Sequence, residues 1–305
     1  MSQLTDNIHQ LLRSAEGFQP GNNSVWCGHQ FSWKDSSTWA PRLTAWLLPR
    51  FRKDGMKRLK PGTARKLCWD DSEWSRVLER CLVGDPERVR HDLAWALEPA
   101  TLRTFHGCRT DDAWSYFKNG LLRNDPNLLA QKLTAIVSAS PQHHDILPHL
   151  PGAIARFMNH DTGLVYLSAE GDSLVKDAPH YCIYGSEWMM AVLAPLYCQD
   201  VLKQVGTPTL LEVDLPLNLT TYNLRKAFAE NILAEWTRLV CNRTTWHAPI
   251  DFTFTLDCDI PASAIITHSH PAKFIDYHDH GRIYRSPTRT CAFCATSASP
   301  PDHIN

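Results

Sequence analysis

The sequence predicts an α+β fold in which a helical N-terminal lobe precedes a domain of mixed strands and helices. Residues 1–99 repeat apolar side chains at three-to-four-residue spacing, which is typical of amphipathic helices. From residue 100, short runs rich in β-branched and aromatic residues alternate with helical segments. We therefore expect a helical lobe at 1–99, an α+β domain at 100–285 and a mobile tail at 286–305.

The helical lobe is predicted from four segments with one apolar face each, namely DNIHQLLRSA, STWAPRLTAWLLPRF, DSEWSRVLERCLV and ERVRHDLAWAL. An Asp-Asp-Ser run before Glu73 favours a helix start, and Pro99 favours a helix end. The tryptophans of these segments include Trp46, Trp74 and Trp95. Because they lie on the apolar faces, we expect them in the core and not stacked on a ligand.

In the second domain, strands are predicted for TLRTFHG, TGLVYLSA, HYCIYGS, PTLLEVDLPL and IDFTFTLDCDIP. Helices are predicted for AWSYFKNGLL, NLLAQKLTAIVSA, EWMMAVLAPLYCQDVLKQV and NLRKAFAENILAEWTRLV, of which the last two are strongly amphipathic. From Ser286 onward, Pro, Ser and Thr without apolar periodicity predict the tail.

Charge and composition limit the classes of partner. The chain of 305 residues carries 31 basic and 32 acidic side chains, so it has no general attraction for nucleic acid or anionic lipid. The most basic stretch, at 50–66, is interpreted as a solvated loop and helix end, with a phosphate-contacting patch as the alternative. The N-terminus has no apolar secretory segment and no long apolar run occurs, which predicts a cytoplasmic protein with ten reduced cysteines and no membrane contact.

An ordered set of short motifs begins the second domain. It consists of a strand ending in His106-Gly107-Cys108-Arg109, a helix ending in Asn119-Gly120-Leu121 and a later strand centred on Tyr166. This order resembles the ADP-ribosyltransferase superfamily, in the branch typified by poly- and mono-ADP-ribose polymerases. There, one strand carries His-Gly-[Ser/Thr/Cys]-Arg, a helix ends in Gly-[Leu/Ile] and a second strand carries Gly-x-Tyr-[Phe/Leu]. The resemblance implies an ADP-ribosyltransferase-like split β-sheet domain and NAD as the bound substrate.

The resemblance also implies roles for individual residues. His106 would hydrogen-bond the nicotinamide-side ribose, and Tyr166 would stack on the cationic nicotinamide ring. Gly107 would leave its backbone N–H and C=O accessible to the nicotinamide carboxamide. The expected NAD-binding residues are His106, Gly107, Cys108, Arg109, Tyr166 and Ser186.

The catalytic carboxylate is less clearly marked than the other positions. Glu187 is the first candidate because it follows a Tyr-Gly-Ser turn, and Ser186 beside it suits a supporting hydrogen bond. Its alternative role is that of a helix N-terminal acid. Asp251 and Glu212 are the second and third candidates, and a missing carboxylate is also left open. The expected catalytic set is therefore His106, Tyr166 and Glu187.

The spacing between the two motif strands departs from the family pattern, and the role of Arg109 has two interpretations. About sixty residues separate His106 from Tyr166, and the excess at 125–161 reads as a helical insertion that suits a lid or an acceptor-recognition element. Arg109 is interpreted first as a structural residue bound to Asp111 or Asp112, with the phosphates of the cofactor as the alternative partner.

A group of histidines and cysteines near the C-terminus raises the question of zinc. It contains His268, His270, His278, His280, Cys291 and Cys294. These are zinc-type ligands, but the Cys-x-x-Cys pair stands alone in a Ser/Pro-rich stretch. The sequence is therefore interpreted as having no metal site, with the His-Pro segment forming the turn that ends the last strand.

The resemblance implies an enzyme of the glycosyltransferase class that transfers ADP-ribose from NAD to a macromolecular acceptor, protein, RNA or DNA, and releases nicotinamide. By analogy with the family, we expect a bacterial toxin of a toxin-antitoxin or antiphage defence system, with an antitoxin or other inhibitory partner. A catalytically silent NAD-binding module, an NAD glycohydrolase and a zinc-dependent nucleic-acid binder are the alternatives.

Overall fold

The computed structural model describes residues 10–59, 67, 72–242 and 252–297, and these form two compact units. The first unit contains the described residues up to Arg103 together with 215–242 and Phe252. The second contains Thr104–Asp214 and the described residues from Thr253 onward. The mixed α+β class predicted from the sequence is confirmed, with a mainly antiparallel sheet.

The strands are β1 Gln30–Ser32, β2 Thr101–Thr110, β3 Val165–Ser168, β4 Thr207–Pro216, β5 Thr253–Leu256, β6 Ile265–Ser269, β7 Lys273–Asp276 and β8 Arg282–Arg285. The α-helices are α1 Ser36–Leu47, α2 Gly55–Arg58, α3 Glu73–Cys81, α4 Pro86–Ala96, α5 Trp114–Asn119, α6 Pro126–Ser138, α7 Leu150–Phe157, α8 Gly171–Asp177, α9 His180–Tyr184, α10 Glu187–Leu193, α11 Tyr222–Cys241 and α12 Ala292–Ser297.

The first unit is a helical assembly around the long helix α11. Phe228 on this helix packs against Phe31 and Trp33, and Trp236 donates a 2.9 Å hydrogen bond to Thr44 Oγ1 on α1. The sequence boundary at residue 99 is close to the division after Arg103. The described residues of 215–252, which the sequence interpretation assigned to the second domain, belong to this first unit because the apolar face of α11 is buried among its aromatic side chains.

The predicted tryptophan core is confirmed in two positions and wrong in one. Trp46 and Trp74 are buried, as their apolar helix faces predict. Trp95 is 49% exposed, although its neighbours Ala94 and Ala96 on α4 are buried. Its ring lies 5.5 Å from that of Tyr222 at the edge of the unit, so aromatic contact replaces full burial.

Part of the basic stretch at 50–66 is described, and its arginines have partners within the first unit. The Arg50 guanidinium lies 3.5 Å from the centre of the Trp46 ring, and Arg52 Nε donates to the Leu82 carbonyl over 2.6 Å. Arg58 pairs with Asp54 across one helical turn. Residues 60–66 lie outside the described residues. These contacts favour the structural interpretation of the described arginines.

The second unit is built on a sheet with the strand order β5-β3-β2-β4-β6. Tyr166 on β3 pairs with Thr255 on β5, and Phe105 on β2 pairs with Ser168 on β3, both in antiparallel register. On the other side, Leu211 on β4 pairs with His268 on β6. Strands β7 and β8 form a separate hairpin. The two predicted motif strands, β2 and β3, are therefore direct neighbours.

Helices α6, α7 and α10 share one apolar core with the α8–α9 segment. Leu133 and Val137 of α6 and Trp188 of α10 are buried in it, and the Trp188 indole donates to the Phe157 carbonyl at the end of α7. The insertion at 125–161 supplies α6 and α7, so it forms part of the core of this unit. Removing such helices would expose the core, which distinguishes them from an appended loop.

The prediction of a strand for the segment HYCIYGS is wrong. In the structure His180–Tyr184 forms the short helix α9. Aromatic and β-branched residues favour a strand only weakly, and packing overrides that preference. Pro179 stands at the start of α9, and Gly185, with φ of +81°, ends it in the left-handed conformation. Cys182 and Ile183 then become buried on the core face of the helix.

The stretch from Ser286, predicted as a mobile tail, is also corrected where the structure describes it. Residues Ala292–Ser297 form α12, and Cys291 is buried just before it. The Ala292 amide donates to the Asp111 carbonyl over 2.9 Å, so the segment is bonded to the loop after β2. Apolar periodicity missed it because a six-residue helix spans fewer than two turns. Residues 298–305 lie outside the described residues.

Among the described residues, each helix is too short or too polar to cross a lipid bilayer.

Candidate functional site

A cavity of about 530 Å³ lies in the second unit where β2, β3, α6 and the α9–α10 turn meet. Its lining brings together the three residues predicted as catalytic, His106, Tyr166 and Glu187. The volume is within the range of about 300–1,000 Å³ that is usual for small-molecule and cofactor sites. These three residues are separated by up to 81 positions in the chain, so the fold and not local sequence assembles them.

His106 is held in one orientation by the neighbouring strand. Its Nδ1 lies 2.9 Å from the backbone carbonyl of Tyr166 on β3. A carbonyl oxygen only accepts, so Nδ1 carries the proton and Nε2 of the neutral ring keeps its lone pair. Burial lowers the pKa of His106, against the opposing effect of this hydrogen bond. The neutral ring therefore offers an acceptor at Nε2 near neutral pH.

Tyr166 is paired with a carboxylate that the sequence analysis did not single out. Its hydroxyl donates a 2.6 Å hydrogen bond to Asp161 Oδ1, and Asp161 also lines the cavity. Burial, this hydrogen bond and the nearby Asp161 and Glu187 charges raise the pKa of Tyr166. Asp161 adopts a left-handed backbone conformation, with φ of +54°, in the turn before β3. The Asp-x-Gly turn before the strand was the available signal for this residue.

Glu187 reaches the cavity from the first position of α10 and is exposed. Its Oε2 accepts a 2.7 Å hydrogen bond from the hydroxyl of Tyr181 on α9, and Tyr181 also lines the cavity. Burial and the hydrogen bond to Glu187 raise the pKa of Tyr181, so its phenol remains a donor at neutral pH. Tyr181 was missed by the sequence analysis because its segment was interpreted as a strand.

Gly107 has a packing role that differs from the expected one. A Cβ built on it would lie 2.8 Å from Tyr181 Cβ and 2.9 Å from Leu174 Cδ2, both shorter than normal contacts. The face that glycine leaves bare is therefore covered by α8 and α9. The small residue lets these helices approach β2, and that approach brings Tyr181 to the cavity.

Arg109 is a structural residue by its contacts. All five guanidinium N–H donors have acceptors: the carbonyls of Ile183, Lys203, Val205 and Gly206, and the hydroxyl of Tyr284. The predicted structural role is favoured, but the partners are mainly carbonyls and not Asp111 or Asp112. Arg109 lines the cavity, but its donors are directed at protein acceptors, which favours the structural role over the alternative in which it binds the phosphates of NAD.

Cys108 and Ser186 also line the cavity, with limited chemical capacity. Burial raises the pKa of Cys108 to about 11, so its thiol is neutral at physiological pH and is a poor nucleophile. The Ser186 hydroxyl accepts from the Met189 amide over 3.3 Å and so caps α10. This contact fixes the helix start that carries Glu187.

The other candidate acids are not brought to this cavity among the described residues. Glu212 lies on β4, opposite Thr267 on β6, and does not belong to the lining. Its neighbours Leu211 and Val213 are buried, so strand alternation directs Glu212 to the opposite face. Asp251 lies outside the described residues.

The cavity also carries charges that bear on an anionic ligand. Lys132 on α6 lines it, as do Asp111 and Asp112 after β2. The Lys132 ammonium can attract a phosphate, while the two carboxylates can accept hydrogen bonds from sugar or amide groups. The cavity therefore combines an aromatic wall, a neutral histidine acceptor and groups of both charge signs.

A second group of side chains lies in the same unit, and it corrects the sequence interpretation of the C-terminal stretch. His268, His270, Cys291 and Cys294 come together with their ligand atoms all within 4.8 Å of one another. The cysteine pair is therefore not isolated. The two histidines lie on β6 and just after it, and this strand pairs with β4 within the sheet.

Comparisons with protein-family models, with curated protein sequences and with solved structures find no match to this chain.

Proposed function

We propose that this protein is an ADP-ribosyltransferase that cleaves NAD⁺ at the nicotinamide bond and transfers ADP-ribose to a macromolecular acceptor. The observation that carries the proposal is the cavity in which His106, Tyr166 and Glu187 meet. The motif order of the sequence and the adjacency of β2 and β3 support the same assignment. An ADP-ribosyltransferase-like fold of the second unit is part of this proposal.

The lining of the cavity supports NAD⁺ as the substrate. Tyr166 and Tyr181 provide aromatic surface for a nicotinamide ring, whose positive charge is attracted to an aromatic face. Lys132 provides a cation for the diphosphate. Gly107 and Cys108 of β2 also line the wall, and a backbone N–H and C=O there would offer a donor and an acceptor to the carboxamide.

His106 would position the sugar. Its Nδ1–H is committed to the Tyr166 carbonyl, so Nε2 would accept a hydrogen bond from a hydroxyl of the nicotinamide-side ribose. Such an acceptor fixes the ring orientation before nicotinamide leaves, which lowers the entropic part of the barrier. Protonation of the ring would remove the acceptor, and its lowered pKa works against that loss.

Glu187 would act on the developing cation and on the acceptor. As nicotinamide leaves with the bonding electron pair, positive charge grows at the anomeric carbon and ring oxygen, and a carboxylate stabilises it electrostatically. The same carboxylate can take the proton of an acceptor hydroxyl or amine as the new glycosidic bond forms. The Tyr181 hydrogen bond orients the Glu187 carboxylate for both steps.

By analogy with toxins that use this chemistry, we extend the proposal to a cytoplasmic bacterial toxin that modifies protein, RNA or DNA and is restrained by an antitoxin partner. The net charge of -1 argues for an acceptor recognised locally and not through general attraction to nucleic acid.

The test is incubation of the full chain with NAD⁺ labelled on the adenylate phosphate in a bacterial lysate split into protein and nucleic-acid fractions. We expect label in one macromolecular fraction together with stoichiometric nicotinamide release, and neither with His106→Ala. Nicotinamide and free ADP-ribose without labelled macromolecules would replace transfer by NAD⁺ hydrolysis. Absence of both signals in every fraction, with NAD⁺ binding retained by calorimetry, would identify a silent NAD-binding module.

A further inference from the structure

The His268–His270–Cys291–Cys294 cluster is built from two segments of the second unit. His268 lies on β6 and His270 directly follows it, whereas Cys291 precedes α12 and Cys294 lies in its first turn. The four ligand atoms all lie within 4.8 Å of one another. Cys291 is buried and the other three side chains are half-buried. We propose that these four residues form a structural zinc site.

Three distances between ligand atoms match those of a tetrahedral zinc site. Zinc bonds of about 2.3 Å to sulfur and about 2.0–2.1 Å to nitrogen place two sulfurs about 3.8 Å apart and a sulfur and a nitrogen about 3.6 Å apart. The two Sγ atoms are 3.9 Å apart. Cys291 Sγ lies 3.6 Å from His268 Nε2, and Cys294 Sγ lies 3.5 Å from His270 Nε2. His268 Nε2 and Cys294 Sγ lie closer, at 3.0 Å, and would separate by about half an ångström when zinc binds.

One of the histidines is already in the tautomer that a metal requires. His270 Nδ1 lies 3.0 Å from the Pro208 carbonyl and 3.1 Å from Thr209 Oγ1. The carbonyl only accepts, so Nδ1 carries the proton and Nε2 turns its lone pair to the cluster. This backbone partner is the outer hydrogen bond that metal-bound histidines usually make.

Aromatic side chains flank the cluster. The His268 ring lies 5.7 Å from the rings of both Phe117 and Phe293, which pack against each other at 5.3 Å. Apolar neighbours favour a neutral complex, and two thiolates with two neutral imidazoles give zero net charge around Zn²⁺. With four protein ligands there is no position for substrate, so the role is structural and not catalytic.

Zinc would connect the C-terminal helix to the wall of the cavity. The Ala292 amide donates to the carbonyl of Asp111, which lines the cavity, and Phe293 packs on Trp114 at the start of α5. Joining β6 to α12 through one ion would therefore stabilise the loop after β2 and the α5 side of the cavity. The zinc site requires no NAD⁺ chemistry, so its test is independent of the test of the proposed function.

The first experiment measures the metal content of the full chain, purified without chelator or affinity tag, by inductively coupled plasma mass spectrometry. We expect close to one zinc ion per chain, and loss of most of it in the Cys291→Ser/Cys294→Ser double variant. His280→Ala is the matched control because His280 belongs to the same His-rich stretch but is exposed and lies outside the cluster. It should retain zinc in full.

A second measurement covers the case in which the double variant does not fold. Wild-type protein in which cobalt replaces zinc should show the intense visible bands of a tetrahedral site and a sulfur-to-cobalt charge-transfer band. Removing the metal with a chelator should lower the Tm by about 5 °C or more, and added zinc should restore it. Folded wild-type protein with less than about one zinc per ten chains and no tetrahedral cobalt spectrum would overturn the proposal. Full zinc retention by a folded double variant would do so as well.

Discussion

The hydroxyl of Tyr181 donates a 2.7 Å hydrogen bond to the Oε2 of Glu187. The two residues lie on consecutive short helices, and Gly185 and Ser186 form the turn between them. An exposed glutamate samples several rotamers, and this bond selects the one in which its carboxylate faces the cavity. The pair thus links the fold of α9 and α10 to the proposed chemistry.

Glu187→Gln should reduce nicotinamide release by about 10²–10⁴-fold, because an amide neither stabilises the developing cation as a charge does nor takes a proton. NAD⁺ affinity, measured by isothermal titration calorimetry, should change far less than the single-turnover rate. Tyr181→Phe should give a smaller loss, about 10–100-fold, since it removes one hydrogen bond to a charged group.

Glu212→Gln is the matched control for that series, because Glu212 lies outside the cavity lining and should retain the wild-type rate. Asp161→Asn is the informative comparison, since Asp161 accepts from Tyr166 within the cavity. If Asp161→Asn abolished turnover while Glu187→Gln left it intact, the catalytic carboxylate would be Asp161.

The lowered pKa of His106 predicts a pH dependence of stability. An unfolded histidine takes up a proton near pH 6.5, whereas folded His106 resists it, so acid favours the unfolded chain. The free energy of unfolding of wild type should therefore fall more steeply between about pH 7 and pH 5 than that of His106→Gln. Urea unfolding at a series of pH values measures this difference.

The same shift sets the acid limb of activity. Nε2 of neutral His106 is the proposed ribose acceptor. Protonation of His106 should therefore lower kcat/KM only below about pH 6.5. His106→Ala should lower kcat/KM by about 10²-fold or more through loss of positioning. His149→Ala, at an exposed position, should match wild type in both assays. A wild-type acid limb centred above pH 7 would contradict a His106 ring that is neutral in the folded protein.

Gly107→Ala should destabilise the protein by about 1–3 kcal/mol, because the added methyl group meets Tyr181 and Leu174 at less than 3 Å. Gly152→Ala provides the opposite case, since Gly152 lies inside α7 with open space around its Cβ position. It should stabilise by about 0.5–1 kcal/mol through helix propensity. Thermal unfolding of the two variants should therefore shift in opposite directions. Equal stability of Gly107→Ala and wild type would show that α8 and α9 do not pack closely against β2 at this position.

Arg109→Lys should destabilise the protein strongly, by about 3–5 kcal/mol, because a single ammonium cannot reach the four carbonyls and the hydroxyl that the guanidinium bonds. Chemical denaturation of the purified variant measures the loss. Arg156→Lys, at an exposed position of α7, should leave the midpoint unchanged. If the Arg109→Lys variant were stable but bound NAD⁺ more weakly, the result would instead indicate that Arg109 binds the phosphates of NAD⁺.

The sequence located several strands and helices of the second unit because their patterns are local and long enough. Strands β2, β3 and β4 alternate or run apolar over their length, and α6 and α11 repeat at helical spacing. The short elements were the ones missed: α9 was interpreted as a strand, and α12 as part of a tail. In five or six residues, periodicity carries too little information, and packing against the core decides the conformation.

The sequence by itself determined the mixed α+β class and selected His106, Tyr166 and Glu187, because hydrophobic periodicity and motif order are properties of neighbouring residues. Only the tertiary structure decided that Tyr181 and Asp161 join the cavity, that Arg109 bonds the backbone, and which histidines meet the cysteine pair. These outcomes depend on contacts between segments far apart in the chain. Such contacts are set by how helices pack on strands, which no local pattern records.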